Sequence, residues 1–240
     1  MAAHLTEEEQ IEAVKRWWKE NGKVMVAVIL AGIIGWFAWS NWQDRQGQIA
    51  EQTSMQYAEL MAVLDGTQDA NLTDKEKATA RTIAEEIVAS HGDSLYGNFA
   101  ALHMAKLALD SGDPAEAESQ LRAVINQAAN SGIAKLANLR LARVLSSGGD
   151  HEGALALLNG EVAGAYSAAY AEARGDIYVA QNQLDLAQTA YEEALASLTQ
   201  QEAGRSGLVQ LKLNNTRTVG DQENQDAPNQ PAAPSTEGEA

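Results

Sequence analysis

The longest uninterrupted apolar stretch of the chain runs from Val24 to Trp42, VMVAVILAGIIGWFAWSNW, and contains no charged residue. At about 1.5 Å per residue, a helix of about 20 residues crosses the roughly 30 Å hydrocarbon core of a bilayer. Trp36 and Trp39 stand near its end, where indole rings favour the boundary between membrane and water. The pattern predicts a transmembrane signal-anchor helix over residues 24–43.

Basic residues flank this stretch unequally. Four of them precede it within ten positions: Lys15, Arg16, Lys19 and Lys23. After it, Arg45 is the only basic residue before Lys75. Because an excess of Lys and Arg marks the cytoplasmic side, the distribution predicts a cytoplasmic tail over residues 1–23 and a C-terminal region across the membrane.

A cleaved secretory signal is the alternative interpretation of the same stretch. Ala38-Trp39-Ser40 resembles a small-x-small cleavage site. However, the charged region before the apolar run is long, and the run exceeds the 7–15 residues usual in signal peptides. We therefore expect an anchor that stays uncleaved.

The N-terminal tail has an amphipathic pattern of its own. Its apolar residues recur at helical spacing: Ile11, Val14, Trp17 and Trp18. Such a helix is able to lie on the inner membrane face. Alternatively, it simply extends the anchor helix until Asn21-Gly22 interrupts it.

Beyond the anchor, the apolar residues follow a helical period throughout. Gln48 to Leu64 predicts a helix that stops at Asp65-Gly66, and a second helix opens near Thr73 and runs to about Ser90. Two antiparallel helices joined by a short loop form an αα-hairpin, here at about 48–91.

Three later segments repeat one another. Their first helices contain Ala105, Ala142 and Gly175, twelve residues later come Ala117, Ala154 and Ala187, and four residues beyond those come Leu121, Leu158 and Tyr191. Turn residues stand between the helices at Gly112-Asp113-Pro114, Gly149-Asp150-His151 and Asn182-Gln183-Leu184. The offsets between positions 105, 142 and 175 are 37 and 33 residues, close to the tetratricopeptide period of 34.

This spacing has a steric explanation. Two helices of a hairpin approach closely only where each carries a small residue, and a larger residue one turn later fills the gap to the next unit. The repeats are degenerate, because Ala101, Asn138 and Ala171 occupy the usual aromatic position. The sequence thus predicts an all-α protein with a tetratricopeptide-like α-solenoid of antiparallel helix pairs.

The predicted domain covers residues 44–215. Its later elements are hairpins at about 95–130, 133–163 and 166–198, and a terminal helix at 203–215. A solenoid needs such a terminal element to cover its apolar end, so Leu208, Val209 and Leu211 are expected to face inward. The polar residues 216–240 predict a disordered acidic tail.

Composition narrows the function. The formal charge is −16, from 33 acidic and 17 basic residues, which disfavours nucleic-acid binding. Cysteine is absent, which excludes disulfides and suits an oxidising compartment. The histidines are scattered at His4, His91, His103 and His151, without metal spacing or a Gly-rich phosphate loop. We expect no catalytic residues, metal, cofactor or small-molecule substrate, and hence no enzyme.

The inner face of the solenoid, built mostly by first helices, is the candidate binding surface. The repeat register places on it Phe99, Leu102, Lys106, Leu136, Leu139, Arg143, Glu172, Asp176 and Val179. A mixed apolar and charged groove suits an extended or partly folded polypeptide. The alternative is that Leu102 and Leu139 only pack the hairpins. Lys106 and Arg143 recur at equivalent positions, but Asp176 replaces them in the third unit.

The anchor carries a second candidate surface. Ala27, Ala31 and Gly35 follow at i, i+4 and i+8, so small residues line one helix face, which favours close helix–helix contact in lipid. Small residues are also ordinary in transmembrane helices, so chance alone accounts for the stripe more readily than a contact does.

Three segments resemble the YfgM-type ancillary subunits of the bacterial SecYEG translocon. They are residues 12–23 (EAVKRWWKENGK), residues 138–144 (NLRLARV) and residues 211–215 (LKLNN). The resemblance runs from about residue 7 to residue 215. It implies a single-pass protein of the inner membrane of a Gram-negative bacterium, with the N-terminus cytoplasmic and a periplasmic tetratricopeptide-like domain.

The same resemblance implies a function and partners. Such proteins associate with SecYEG and with the PpiD-like membrane-anchored periplasmic chaperone, and help pass newly translocated polypeptides to periplasmic chaperones without catalysis. The alternative function is a membrane-anchored tetratricopeptide scaffold for cell-envelope or division complexes.

Overall fold

A computed structural model of the chain describes residues 7–65, 72–159 and 164–226. Most of these residues lie in helices, the rest lie in the turns between them, and no β-strand occurs among them. The α-helices are α1 (Glu7–Asp65), α2 (Asp74–His91), α3 (Leu95–Asp110), α4 (Pro114–Asn126), α5 (Ser131–Ser147), α6 (His151–Asn159), α7 (Ser167–Ala180), α8 (Leu184–Ser197) and α9 (Ser206–Asp226). Short 3-10 helices occur at Gly164–Tyr166 and Gln200–Arg205. The chain divides into two units between Met55 and Gln56. The all-α prediction is confirmed.

Helix α1 continues through Asn21 and Gly22, so the predicted interruption there is wrong. The side-chain amide of Asn21 donates to the carbonyl of Trp17, 3.2 Å away, and therefore adds a bond to the helix rather than ending it. Gly22 is buried under the indole of Trp18. Gly is also well tolerated in helices of the membrane-spanning type.

Helix α1 is also the one helix among the described residues that is long and apolar enough to cross a membrane. Its apolar side chains are not covered by protein: Trp36 and Phe37 expose 71% and 69% of their surface. Apolar surface of this extent indicates contact with lipid or with another protein.

The small residues of the repeats lie where the pattern predicts close helix contact. Pairs α3/α4, α5/α6 and α7/α8 each bury the paired positions: Ala105 with Ala117, Ala142 with Ala154, and Gly175 with Ala187. The larger residues one turn later are buried as well, with Leu121, Leu158 and Tyr191 at most 3% exposed. The small-residue register is confirmed.

The turn inside each pair has the same backbone. Gly112, Gly149 and Asn182 adopt positive φ angles of 79°, 90° and 57°. The residue after each one donates its N–H five residues back, as from Asp113 to Ala108 at 2.9 Å. This is the Schellman motif, which satisfies the last carbonyls of a helix. Three Schellman turns in equivalent places show that the repeats share their geometry.

One buried polar side chain joins two hairpins. Asn98, on α3, is 1% exposed and donates its amide to the carbonyls of Gly92 and Gln127, at 2.7 and 3.3 Å. Its Oδ1 accepts the N–H of Ala129, 2.7 Å away. Asn98 therefore ties the α2–α3 turn to the segment after α4, which fixes α3 relative to both neighbours.

The C-terminal element differs from the prediction. The predicted helix at 203–215 is a 3-10 helix followed by α9, which starts at Ser206 and continues past residue 215 to Asp226, into the first part of the predicted tail. The remainder of the predicted tail, 227–240, lies outside the described residues. Val209 and Leu213 are buried, whereas Leu208 and Leu211 are more than half exposed. The predicted inward face is therefore wrong for both of these leucines.

Candidate functional site

A cavity of about 310 Å³ opens between α3, α4 and α5. Its walls are mostly apolar, and its rim carries charged side chains. The lining residues are Leu102, Ala105, Lys106, Leu109, Asp110, Leu121, Arg140, Arg143, Val144 and Ser147. The cavity includes three residues of the predicted inner face, namely Leu102, Lys106 and Arg143. It belongs to the first two repeats.

Positive charge is concentrated on this rim although the protein as a whole carries −16. Arg140 and Arg143 lie three residues apart on one face of α5. Arg140 Nη1 donates to the carbonyl of Leu102 at 3.4 Å, which holds its head group against α3. Burial, followed by the charge of Arg143, lowers the pKa of Arg140. Two like charges held this close favour an anionic ligand between them.

The other two cations of the rim differ in how firmly they are held. Lys106 pairs with Asp110 at 3.0 Å, but its side chain is 64% exposed, and such i,i+4 pairs contribute little to stability. Within the described part of the chain, Arg143 makes no hydrogen bond or ion pair. Lys106 and Arg143 are therefore accessible to a ligand. The arrangement suits non-covalent binding of a polypeptide with an acidic group beside apolar side chains.

A histidine lies next to this cavity. Tyr57 Oη and His103 Nε2 are 3.2 Å apart and share a hydrogen bond. His103 also lines a smaller cavity of about 190 Å³ together with Lys106 and Asp65. Burial, then the charges of Arg140 and Lys106, lower the pKa of His103, so that it is neutral near pH 7.

The third repeat presents acidic residues at the equivalent place, and the C-terminal segment covers them. Lys212, on α9, donates to Glu172 at 2.8 Å and to both carboxylate oxygens of Asp176 at 2.7 and 2.8 Å. Arg205 pairs with the other oxygen of Glu172. Two predicted groove residues thus serve to attach α9 and are not free for a partner.

Electrostatics hold this network in its charged form. Burial alone would raise the pKa of Glu172, but hydrogen bonding to Lys212 and the charges of Lys212, Arg205 and Arg143 lower it overall. Burial alone would lower the pKa of Lys212. The hydrogen bonds from Lys212 to Asp176 and Glu172 outweigh the effect of burial, so that the pKa of Lys212 is raised overall. Burial and the hydrogen bond to Asp176 raise the pKa of Tyr191, which keeps its hydroxyl protonated as a donor.

The remaining predicted groove residues are dispersed. Leu139 is 4% exposed and belongs to the core, as does Leu102 apart from its contact with the cavity. Phe99 and Leu136 are half-buried against that core, and Val179 is exposed near the end of α7. The inner face is therefore a groove only over its first two repeats.

Sequence reasoning missed Arg140 and the cations of the C-terminal segment. The three-residue spacing of Arg140 and Arg143 on a helix was the available signal for the first. No comparable signal joins Lys212 to Glu172, which lies 40 positions earlier.

The small-residue stripe of the anchor is open in the structure. Ala27, Ala31 and Gly35 are exposed, and a Cβ atom added at Gly35 would meet nothing within 4 Å. No group of three or more His, Asp or Glu side chains able to hold a metal ion occurs within residues 7–65, 72–159 and 164–226.

Comparison with known proteins identifies the family. The model of the tetratricopeptide repeat-like domain matches residues 15–218. The ancillary SecYEG translocon subunit of Haemophilus influenzae is 31% identical over 215 residues, covering 90% of this chain and all of that protein. Proteins of the same name from Neisseria gonorrhoeae and Escherichia coli are 30% and 27% identical, covering 90% of this chain and 100% and 98% of their own lengths.

The chain belongs to the ancillary SecYEG translocon subunit family. The resemblance found in three short segments is thereby confirmed over nearly the whole sequence. The tetratricopeptide-like domain of this chain is of a type that binds other polypeptides. The single apolar N-terminal helix fits the single-pass inner-membrane protein expected for this family.

Proposed function

We propose that this protein is an ancillary subunit of a SecYEG translocon, held in the inner membrane by α1. The relatives that carry this name match over their full or nearly full length, and this is the observation on which the proposal rests. In the proposed orientation the basic residues before the apolar run stay in the cytoplasm. The domain beyond the anchor then lies in the periplasm.

In this role the tetratricopeptide-like domain is a non-enzymatic adaptor. It receives newly translocated polypeptides and helps transfer them to periplasmic chaperones, among them a PpiD-like membrane-anchored chaperone. The cavity between α3 and α5 supports the proposal, because an apolar floor with a cationic rim suits an unfolded segment that carries an acidic residue. Exported chains expose such segments before they fold.

Site-specific photocrosslinking in cells tests the proposal. A photoreactive residue at Lys106, Leu109 or Arg143, all in the cavity lining, is expected to capture SecYEG subunits, a PpiD-like chaperone or exported polypeptides. Ala123, exposed on α4 and not part of the cavity lining, is the matched control position. Asp176 is avoided because replacing it would break its bonds to Lys212.

The outcomes separate the candidate functions. Capture from the cavity positions, well above that from Ala123, supports the adaptor. Equal capture at all positions, or none of these partners, contradicts it. If the crosslinks lead instead to division or envelope proteins and the chain concentrates at the septum, the scaffold function replaces the proposal.

The rim charges provide a second test. Arg140→Gln with Arg143→Gln is expected to reduce client crosslinking at Leu109, in the same cavity, at least several-fold, since two charge-assisted contacts to an acidic segment are lost. Arg122→Gln with Lys75→Gln removes the same charge elsewhere on exposed surface and is expected to leave it unchanged. Equal losses in both double variants would mean that overall charge, not the cavity, attracts clients.

The anchor stripe is proposed to contact a membrane helix of the translocon. Ala31→Leu with Gly35→Leu is expected to preserve membrane insertion and to reduce co-purification with SecYEG, because bulk prevents close helix approach. Ile29→Leu with Ile33→Leu, on the opposite helix face, is the control. If SecYEG is recovered equally well with the stripe variant, the stripe does not contact the translocon, and α1 serves only as the membrane anchor.

A further inference from the structure

The part of α1 that precedes the uncharged run contains a groove formed by four side chains around a glycine. Trp18, Lys19, Gly22, Lys23 and Val26 line a shallow space of about 520 Å³ along the helix surface. The groove exists because residue 22 has no side chain. Gly22 is its floor, and the indole of Trp18 leans over that floor.

The fit between Trp18 and Gly22 is close. A Cβ atom at position 22 would lie 3.3 Å from three atoms of the Trp18 indole, including Nε1. Any larger side chain there would push the indole away. The ring thus takes a defined place beside the groove as one wall.

The opposite wall of the groove is cationic. Lys19 and Lys23 are four residues apart, so their ammonium groups rise from the same helix face, one turn apart. Both are exposed. Glu12 and Glu20, the described acidic residues nearby, do not line the groove. In a protein with net charge −16, this is a local site of positive charge without a carboxylate partner in its lining.

The position of the groove along α1 indicates the ligand. It lies directly before the uncharged run, at the level where headgroups meet the hydrocarbon core once that run spans the bilayer. Val26, at its far end, already belongs to the apolar run. A ligand there meets two cations and an indole at one end, and an aliphatic surface at the other.

We propose that this groove binds the headgroup of an anionic glycerophospholipid. The phosphate lies between Lys19 and Lys23 and against the Trp18 indole, above Gly22, and the first part of an acyl chain follows Val26. Charge complementarity and the apolar exit toward the bilayer favour a lipid over a free anion. Binding of this kind would fix the depth and rotation of α1 in the membrane, independently of any partner of the domain beyond it.

Native mass spectrometry of the full-length protein in detergent tests the site. Dioleoylphosphatidylglycerol is titrated against dioleoylphosphatidylcholine, which has the same chains and no net charge. The parent protein is expected to retain phosphatidylglycerol at least about tenfold more tightly. Inorganic phosphate at millimolar concentration is expected not to displace the lipid, whereas displacement would assign the site to free anions and overturn the proposal.

Variants distinguish a groove from diffuse attraction. Lys19→Gln with Lys23→Gln is expected to weaken phosphatidylglycerol binding at least about tenfold. Lys15→Gln with Arg16→Gln removes the same charge outside the groove and is expected to weaken it less than about threefold. Equal weakening in the two double variants overturns the proposal, because the attraction would then depend only on total charge.

A third variant removes the groove and keeps every charge. Gly22→Leu fills the floor and displaces Trp18, and leucine favours helix more than glycine does. It is expected to weaken phosphatidylglycerol binding several-fold with unchanged helical circular dichroism. If Gly22→Leu binds the lipid as the parent does, the groove is not the site, whatever the lysine variants show.

Discussion

The ring of Tyr191 occupies the space that a Cβ atom of residue 175 would need. The nearest ring carbon, Cε1, lies 2.5 Å from that position, so only glycine fits at Gly175. The ring cannot turn away easily, because it is 3% exposed and its hydroxyl donates to Asp176 at 2.8 Å. In the third repeat, the tyrosine fills the place that leucine takes in the other two.

Gly175→Ala is therefore expected to lower the free energy of unfolding by about 1–3 kcal/mol, the usual cost of inserting a carbon into a packed core. The measurement is urea unfolding of the full-length protein in detergent, followed by circular dichroism. Gly207→Ala is the matched control, because a Cβ there meets nothing within 4 Å and α9 should gain up to about 1 kcal/mol in helix propensity. A stabilised Gly175→Ala protein would contradict the observed packing.

The positive φ angles of the Schellman turns predict a reciprocal pair of substitutions. Gly112→Ala places a side chain at φ 79° and should cost about 1 kcal/mol, even though the space around it is open. Asn182→Gly removes a side chain at φ 57° in the equivalent turn and should be neutral or slightly stabilising. Thermal unfolding of both variants checks the pair. Equal destabilisation would show that the turns do not share their geometry.

Much of the fold could be predicted because its causes are local. The small residues at Ala105, Ala142 and Gly175 follow from how closely two helices of one hairpin approach, and a repeating spacing exposes that constraint. The membrane-spanning segment of α1 is likewise predicted from the number of consecutive uncharged residues alone. The physical requirement is carried by small residues at a fixed spacing in the first case, and by the length of an uncharged run in the second.

What could not be predicted depends on residues far apart in the chain. Glu172 looked like a surface residue of a groove, yet Lys212 covers it from α9, and no rule of spacing links the two. The face of α9 was misjudged for the same reason. Leu208 and Leu211 are as apolar as Val209 and Leu213, but only the latter two pack against Ala171, Ala187, Tyr191 and Ala194 of the third repeat, and the spacing within α9 does not reveal that contact.

The attachment of α9 should depend on Lys212 far more than on Arg217, although both residues form ion pairs with preceding helices. Lys212→Met leaves Glu172, which is 5% exposed, with Arg205 as its remaining partner, so a loss of about 1–3 kcal/mol is expected. Arg217→Met breaks an exposed pair with Glu192 and should cost about 0–0.5 kcal/mol.

Limited proteolysis within α9 provides the structural measurement for this pair of variants. Cleavage should become faster in Lys212→Met and stay at the parental rate in Arg217→Met, because only the first releases the helix from its buried anchor. Matching rates in the two variants would mean that Val209 and Leu213 hold α9 without help from the ion pairs.

His103 gives the domain a stability that depends on pH. Burial, then Arg140 and Lys106, hold its folded pKa below the ordinary value of 6.5, while Asp65 opposes them weakly. The unfolded chain therefore binds a proton at a pH where the folded chain does not. The stability that His103 contributes is fully present above pH 6.5 and is lost as the pH falls from 6.5 toward the folded pKa. The free energy of unfolding then changes by at most about 1.4 kcal/mol per pH unit.

Urea unfolding between pH 7.5 and 5 measures this effect. His103→Gln should flatten the pH dependence over that range, because glutamine keeps a hydrogen-bonding group for Tyr57 and cannot titrate. His151→Gln, which replaces a histidine bonded to Ser146 in the α5–α6 turn, should leave the slope produced by His103 in place. If the free energy of unfolding instead rises as the pH falls through 6, His103 is charged in the folded domain. Acidic groups facing His103 must then outweigh the charges of Arg140 and Lys106.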